Sequence, residues 1–174
     1  MMSNVVFVIG GSRSGKTAFA LGKAQEAAGV GSRIYIATAQ PLDAEMEDRI
    51  EKHRRERGSA WATCEEPLHL GSAVRAASRS YAVAVIDCLT LWLSNLLCGN
   101  LDVEEAQDDF IDSLRTPGRL LHIFVVSNEV GMGIVPENDM ARQFRDMAGR
   151  LNLRLAGLAD AVYLMVAGIP VKIK

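Results

Sequence analysis

Cysteine pairs, basic excess and long apolar runs are what this sequence is short of, and each shortage closes off a class of protein. The chain has 174 residues and three cysteines, Cys64, Cys88 and Cys98, odd in number and without a C-x-x-C pair. That argues against a disulfide framework or a cysteine-based zinc site, and a reducing compartment is the expectation. Lys and Arg total 19 against 21 Asp and Glu, a net charge of −2, so no global basic field invites nucleic acid. No apolar run approaches the ~20 residues of a membrane span. The opening Met-Met-Ser-Asn leads straight into a five-residue apolar run. It is too short for a signal-peptide core and lacks a basic flank. A cytoplasmic protein without a membrane span is expected. No internal repeat, low-complexity tract or linker interrupts the chain, so residues 1–174 read as a single domain.

Against these absences stands one dense motif. Val5-Val-Phe-Val-Ile9 runs into Gly10-Gly11-Ser12-Arg13-Ser14-Gly15-Lys16-Thr17, and a helix-prone stretch follows. Strand, glycine-rich loop and helix are the context of a phosphate-binding P-loop. Glycine lets backbone N–H groups turn inward around phosphate oxygens. The helix beginning near Lys16 directs its positive end at the same place. In that motif Lys16 reaches the β- and γ-phosphates, and the Thr17 hydroxyl holds Mg²⁺.

Strands are expected at about 5–9, 33–38, 81–86, 122–127 and 161–167. Their nearly continuous apolar runs suit a parallel sheet covered on both faces. Helices are expected at 16–29, 43–57, 67–78, 89–98, 103–115 and 138–159. In the last, Met140, Phe144, Met147, Leu151, Leu155 and Leu158 form one apolar stripe that reads as core, with Asn138 or Asp139 as cap. The alternation predicts a doubly wound α/β domain. Residues 168–174 look like a turn into a short edge strand, a position that suits Pro170. The segment 115–119 reads as a loop.

Asp87 ends the third expected strand. A carboxylate there either helps hold Mg²⁺ beside a P-loop or caps the helix from Leu89. Between residues 43 and 57, Arg49, His53 and Arg57 fall at successive i+4 positions on one helix face. An imidazole among guanidinium groups is disfavoured as the cation, and a neutral imidazole suits a nucleophile or base. The acidic residues around it equally describe a solvated, charge-laced surface helix, which composition alone favours. His69 and His122 have no such setting and read as structural. Residues 127–138, Ser-Asn-Glu-Val-Gly-Met-Gly-Ile-Val-Pro-Glu-Asn, follow a strand and form a candidate functional loop.

These motifs together resemble the bifunctional adenosylcobinamide kinase / adenosylcobinamide-phosphate guanylyltransferases of cobalamin biosynthesis. The resemblance rests on the P-loop, Tyr35-Ile-Ala-Thr-Ala-Gln40, Glu45-Met46 with Arg49-Ile50 and His53, and Trp61 with Thr63 and Glu65. It extends through Asp87-Cys-Leu-Thr90, Asn95-Leu-Leu97, the loop from Ser127 to Asn138 and the tail from Gly168 to Lys174, so it covers essentially the whole chain. It implies phosphorylation of the aminopropanol hydroxyl of adenosylcobinamide by ATP or GTP. Transfer of GMP from GTP to that phosphate would follow, through a covalent GMP–histidine at the position of His53. It also implies nucleotide contacts at Gly10, Gly11, Ser12, Arg13, Ser14, Gly15, Lys16 and Thr17, at Ile36, Ala37 and Thr38, and at Arg54, Arg55, Glu56, Arg57, Glu65 and Asp87. Lys16 and His53 are the implied catalytic residues, and Thr17 and Asp87 the implied Mg²⁺ ligands. The implied fold is a RecA-like P-loop α/β domain with a mostly parallel sheet, and the implied assembly a homotrimer.

Three other classes stand against this. A switch GTPase carries Asn-Lys-x-Asp, but the strand ending at Ser127 continues Asn-Glu-Val-Gly instead. A simple kinase would keep the P-loop without a role for His53. A RecA-like motor wants a basic nucleic-acid face, which the acidic balance disfavours.

Overall fold

The structure is a computed structural model describing residues 4–41, 44–115 and 122–174. Within residues 44–57 the side chains of Glu45, Arg49, Lys52, His53 and Glu56 lie outside this description. The first strand, β1 (Asn4–Gly10), carries Val5 to Ile9, all buried, and lies inside the sheet. After the P-loop come α1 (Lys16–Ala28), β2 (Arg33–Ala37), α2 (Ala44–Arg57), β3 (Ala62–Glu65) and α3 (Leu70–Ala77). The chain continues through β4 (Val83–Asp87), α4 (Leu89–Cys98), α5 (Val103–Ser113), β5 (His122–Asn128), α6 (Asp139–Leu158), β6 (Ala161–Val166) and β7 (Ile169–Lys172).

The seven strands form one sheet in the order β3-β2-β4-β5-β1-β6-β7. All neighbours are parallel except β6 and β7. Alternate side chains of each strand feed opposite faces. Val5, Phe7 and Ile9 enter a core with Leu70, Trp92, Phe110, Leu151 and Leu155. Val6 and Val8 enter a smaller one with Tyr35, Trp61 and the alanines Ala20 and Ala24 of α1. Small residues on α1 bring that helix close to the sheet, which places its N-terminus over the strand tips. On the larger face Trp92 meets Phe110 edge-on at 5.3 Å, and its indole N–H donates to Leu68 O at 2.7 Å. Among the described residues no helix is long and apolar enough to cross a membrane.

Three expectations need correction. Strand β3 is absent from the expected set: it is a four-residue sheet edge whose side chains alternate between half-buried and exposed, so no apolar run announces it. The helix expected from residue 67 begins at Leu70, because the Glu66 carboxylate takes the N–H groups of Leu68 and His69 and holds a turn there. The stripe on α6 is core only in its second half. Leu151 and Leu155 are buried, Phe144, Met147 and Leu158 are half-buried, and Met140 is 76% exposed. Burial thus rises along the helix from its exposed first turn to Leu151 and Leu155. Asn138 caps it, its Oδ1 accepting from Ala141 N–H at 3.2 Å. Pro170 does lie in an edge strand, antiparallel to β6. Of the expected loop 115–119, residues 116–119 lie outside the described residues.

Candidate active site

The P-loop is assembled where the carboxyl ends of β1, β5 and β4 converge. Gly10 still belongs to the ladder, opposite Asn128 on one side and Met165 on the other. A Cβ there would lie 2.5 Å from Met165 O and 2.9 Å from Ser14 Oγ, so the loop closes only over glycine. Gly15 has φ of 88°, the left-handed turn that releases the chain into α1. Arg13 takes a left-handed φ of 55° without glycine's freedom, backbone strain of the kind held at ligand-binding turns.

Lys16 is only 7% exposed. Its ammonium donates to Gly11 O at 2.5 Å and stands 3.5 Å from Ser14 Oγ, inside the loop it serves. Thr17, one residue on, reaches across β5 and donates to Asp87 Oδ2 at 2.6 Å. The same oxygen accepts from the Tyr35 hydroxyl at 2.9 Å. Burial, then the charge and hydrogen bond of Asp87, hold the Tyr35 phenol well above its usual pKa, so it stays a donor. Burial likewise raises the Cys88 thiol, with the Asp87 charge adding to it. Among the described residues no group of three or more His, Cys, Asp or Glu forms a metal cage. One hydroxyl beside one carboxylate instead fits the sparse protein ligation of Mg²⁺, which leaves most positions to water and phosphate.

The other expected nucleotide residues divide. Ile36 and Thr38 are fully buried. The Thr38 hydroxyl donates to Cys88 O and accepts from Cys88 N–H, both at 2.8 Å, tying the tips of β2 and β4 together. Asn95 donates to Thr38 O at 2.8 Å. Ala37 is half-buried between them. Arg54 and Glu65 pair at 2.5 Å on the rim of an open groove of about 570 Å³, lined also by Arg57, Gly58, Trp61 and Thr63. Arg55 pairs with Glu51 on the outer face. Arg57 lies 3.8 Å above the Tyr35 ring, within cation–π reach. The backbone of His53 and Glu56 runs in α2, while their side chains lie outside the described residues.

Tyr35 therefore joins two places that the sequence presents separately. Its ring touches the groove through Arg57 and its hydroxyl touches the P-loop through Asp87. Sequence reasoning names it only within a longer stretch. The available signal is its polar hydroxyl between the apolar neighbours Ile34 and Ile36. Asn152 is overlooked, and Thr90 and Asn128 are named only within longer stretches: Asn128 donates to Thr90 Oγ1 at 2.7 Å, and Asn152 to Asn128 O at 3.3 Å.

A parallel sheet with a P-loop, a strand-end carboxylate bonded to the P-loop threonine and a strand between them defines a P-loop nucleotide-binding domain of the phosphoryl-transfer kind. The comparisons narrow this. Residues 6–173 match the family described as cobinamide kinase / cobinamide phosphate guanyltransferase, and the chain belongs to that family. It is 41% identical over 186 residues to the bifunctional adenosylcobalamin biosynthesis protein CobU of Escherichia coli K12, spanning 98% of this chain and 99% of that one. It is 42% identical over 172 residues to the corresponding CobP of Pseudomonas aeruginosa, spanning 96% and 95%. Among solved structures, an ATPase domain superposes with a TM-score of 0.52 at 13% identity, over 92% of this chain and 68% of that one. That likeness speaks to the P-loop fold alone.

Proposed function

We propose that this chain carries both activities named for its family, as a cytoplasmic, single-domain and homotrimeric enzyme. It phosphorylates the aminopropanol hydroxyl of adenosylcobinamide with ATP or GTP, then transfers GMP from GTP to adenosylcobinamide phosphate and releases pyrophosphate. The observation that carries this reading is the line Thr17–Asp87–Tyr35–Arg57, which joins the phosphate-binding loop to the groove below α2. One nucleotide site with a γ-phosphate end and a second, arginine-rimmed end suits a protein that works on two different phosphorus atoms.

For phosphoryl transfer, the loop amides and the Lys16 ammonium stabilise charge on the γ-phosphoryl oxygens, and the rest is positioning. Thr17 and Asp87 would hold Mg²⁺, which supplies further charge neutralisation there. For guanylyl transfer, the His53 imidazole attacks the α-phosphorus of GTP, the P–N bond forms, and the bond to pyrophosphate breaks. The phosphate of the corrinoid then attacks the same phosphorus and releases the imidazole. Support for His53 comes from its place in α2, one residue before Arg54 and four before Arg57, both of which line the groove.

The test is incubation of the protein with Mg²⁺ and GTP labelled at the α-phosphate, followed by a denaturing gel. Acid-labile label on the wild type and none on His53→Ala is expected. An unlabelled wild type that still phosphorylates adenosylcobinamide would leave a kinase only.

A further inference from the structure

The kinase step needs an acceptor for the hydroxyl proton, and neither Lys16 nor Thr17 can serve. We propose that Glu129 is that general base. The inference rests on the kinase half of the reading above and adds a catalytic residue to it.

Position comes first. Strand β5 lies between β1, which delivers the P-loop, and β4, which delivers Asp87. Its register sets Asn128 opposite Gly10, and Val126 opposite Asp87. Glu129 is the next residue, and its N–H donates to Gly10 O at 2.9 Å. Its backbone is thus fixed to the first glycine of the loop, on the side of the sheet where ligands of open α/β folds bind. The residue before it is locked by Thr90 and Asn152, so the tip of β5 is a firm mount.

Availability comes second. The other strand-end carboxylates are committed or distant: one oxygen of Asp87 already accepts from two hydroxyls beside the P-loop threonine, and Glu65 and Glu66 belong to the β3 edge, three strands away from β5. Glu129 is half-buried. Its only side-chain partner among the described residues is the Gly131 N–H, which donates to Oε1 at 2.5 Å. One carboxylate oxygen is therefore left to accept a proton. A carboxylate taking the substrate hydroxyl proton is the usual arrangement in kinases. Beyond Glu129 the loop exposes Met132, Ile134 and Val135. That apolar ledge suits the hydrophobic face of a tetrapyrrole-bearing acceptor, arriving next to the base.

In the step itself, the hydroxyl oxygen forms a bond to the γ-phosphorus as its proton passes to the Glu129 carboxylate. The bond from that phosphorus to the bridging oxygen breaks, and its electron pair leaves with the nucleoside diphosphate. The proton is later lost to water. Guanylyl transfer needs no such base, because the attacking phosphate of the second substrate is already an anion.

The test uses the full-length protein and separate assays of the two reactions, with adenosylcobinamide and adenosylcobinamide phosphate as acceptors. Glu129→Gln is expected to lower kcat of the kinase reaction about a hundredfold, within the range for losing a general base, with KM for nucleotide little changed. Guanylyl transfer should fall less than about threefold, and Glu129→Asp should restore part of the kinase rate. A kinase rate within about threefold of wild type in Glu129→Gln would overturn the assignment. So would an equal loss of both reactions, which would mark Glu129 as a structural support. A wild-type protein inactive in both assays would instead sink the functional reading itself.

Discussion

At the P-loop, Lys16 is buried and its partners include the loop's own backbone and a buried serine. At α2, Arg54 and Arg55 stand in solvent, paired with carboxylates that are themselves more than half exposed. The first end is fixed by backbone ladders and strand-tip hydrogen bonds whose loss leaves buried groups unsatisfied. The second carries surface ion pairs, each contributing about 0–1 kcal/mol, beside the contact of Arg57 with the Tyr35 ring. Phosphoryl transfer asks for a fixed cradle, whereas a nucleophile that must reach an α-phosphorus needs a different nucleotide pose. Under the proposed two-step reading, the P-loop supplies the fixed cradle and the residues of α2 the guanylyl end.

The contrast is broken most severely at Gly10. Gly10→Ala drives a Cβ against Met165 O and Ser14 Oγ. A destabilisation of about 3 kcal/mol, the upper end for overpacking, should appear in denaturant unfolding, with loss of both activities. Tyr35→Phe sharpens the contrast, because it cuts the link between the two ends. It removes a hydrogen bond to a carboxylate and should cost about 1.5 kcal/mol. It should also change the alkaline limb of stability. The folded-state pKa of Tyr35 is raised, chiefly by burial, so above a pH of about 10 the folded protein holds more protons than the unfolded chain. Wild-type stability therefore falls as pH rises past that value, and Tyr35→Phe should flatten the fall in a thermal-melt series. Arg54→Ala should be the mildest. The lost surface pair with Glu65 should shift stability by about 0.5 kcal/mol or less, while KM for GTP in guanylyl transfer rises and the kinase KM does not.

The same contrast explains what is legible in the sequence. The P-loop, Asp87 and five of the strands are readable because buried parallel strands are continuous apolar runs, and because a glycine-rich turn before a helix has few other uses. Strand β3 is not, since a short sheet edge with one wet face leaves no run to find. Met140 is misread for a related reason: helical periodicity records which face is apolar, not which turns of that face are covered. Tyr35 as a connector is invisible because its two partners come from different elements: the register of β2 with β4 brings Asp87 near it, and the end of α2 brings Arg57 over its ring. Family resemblance, rather than residue chemistry, singles out His53.

The most direct test of the two-ended site compares Lys16→Ala with His53→Ala in separate kinase and guanylyl-transfer assays. Lys16→Ala should lose about a hundredfold or more in both reactions, as for removal of one transition-state donor. His53→Ala should abolish guanylyl transfer and leave the kinase rate within about threefold of wild type, a change of roughly 0.7 kcal/mol. Loss of kinase activity in His53→Ala, or guanylyl transfer surviving Lys16→Ala, would contradict a single nucleotide site with a shared phosphate end and a separate guanylyl end.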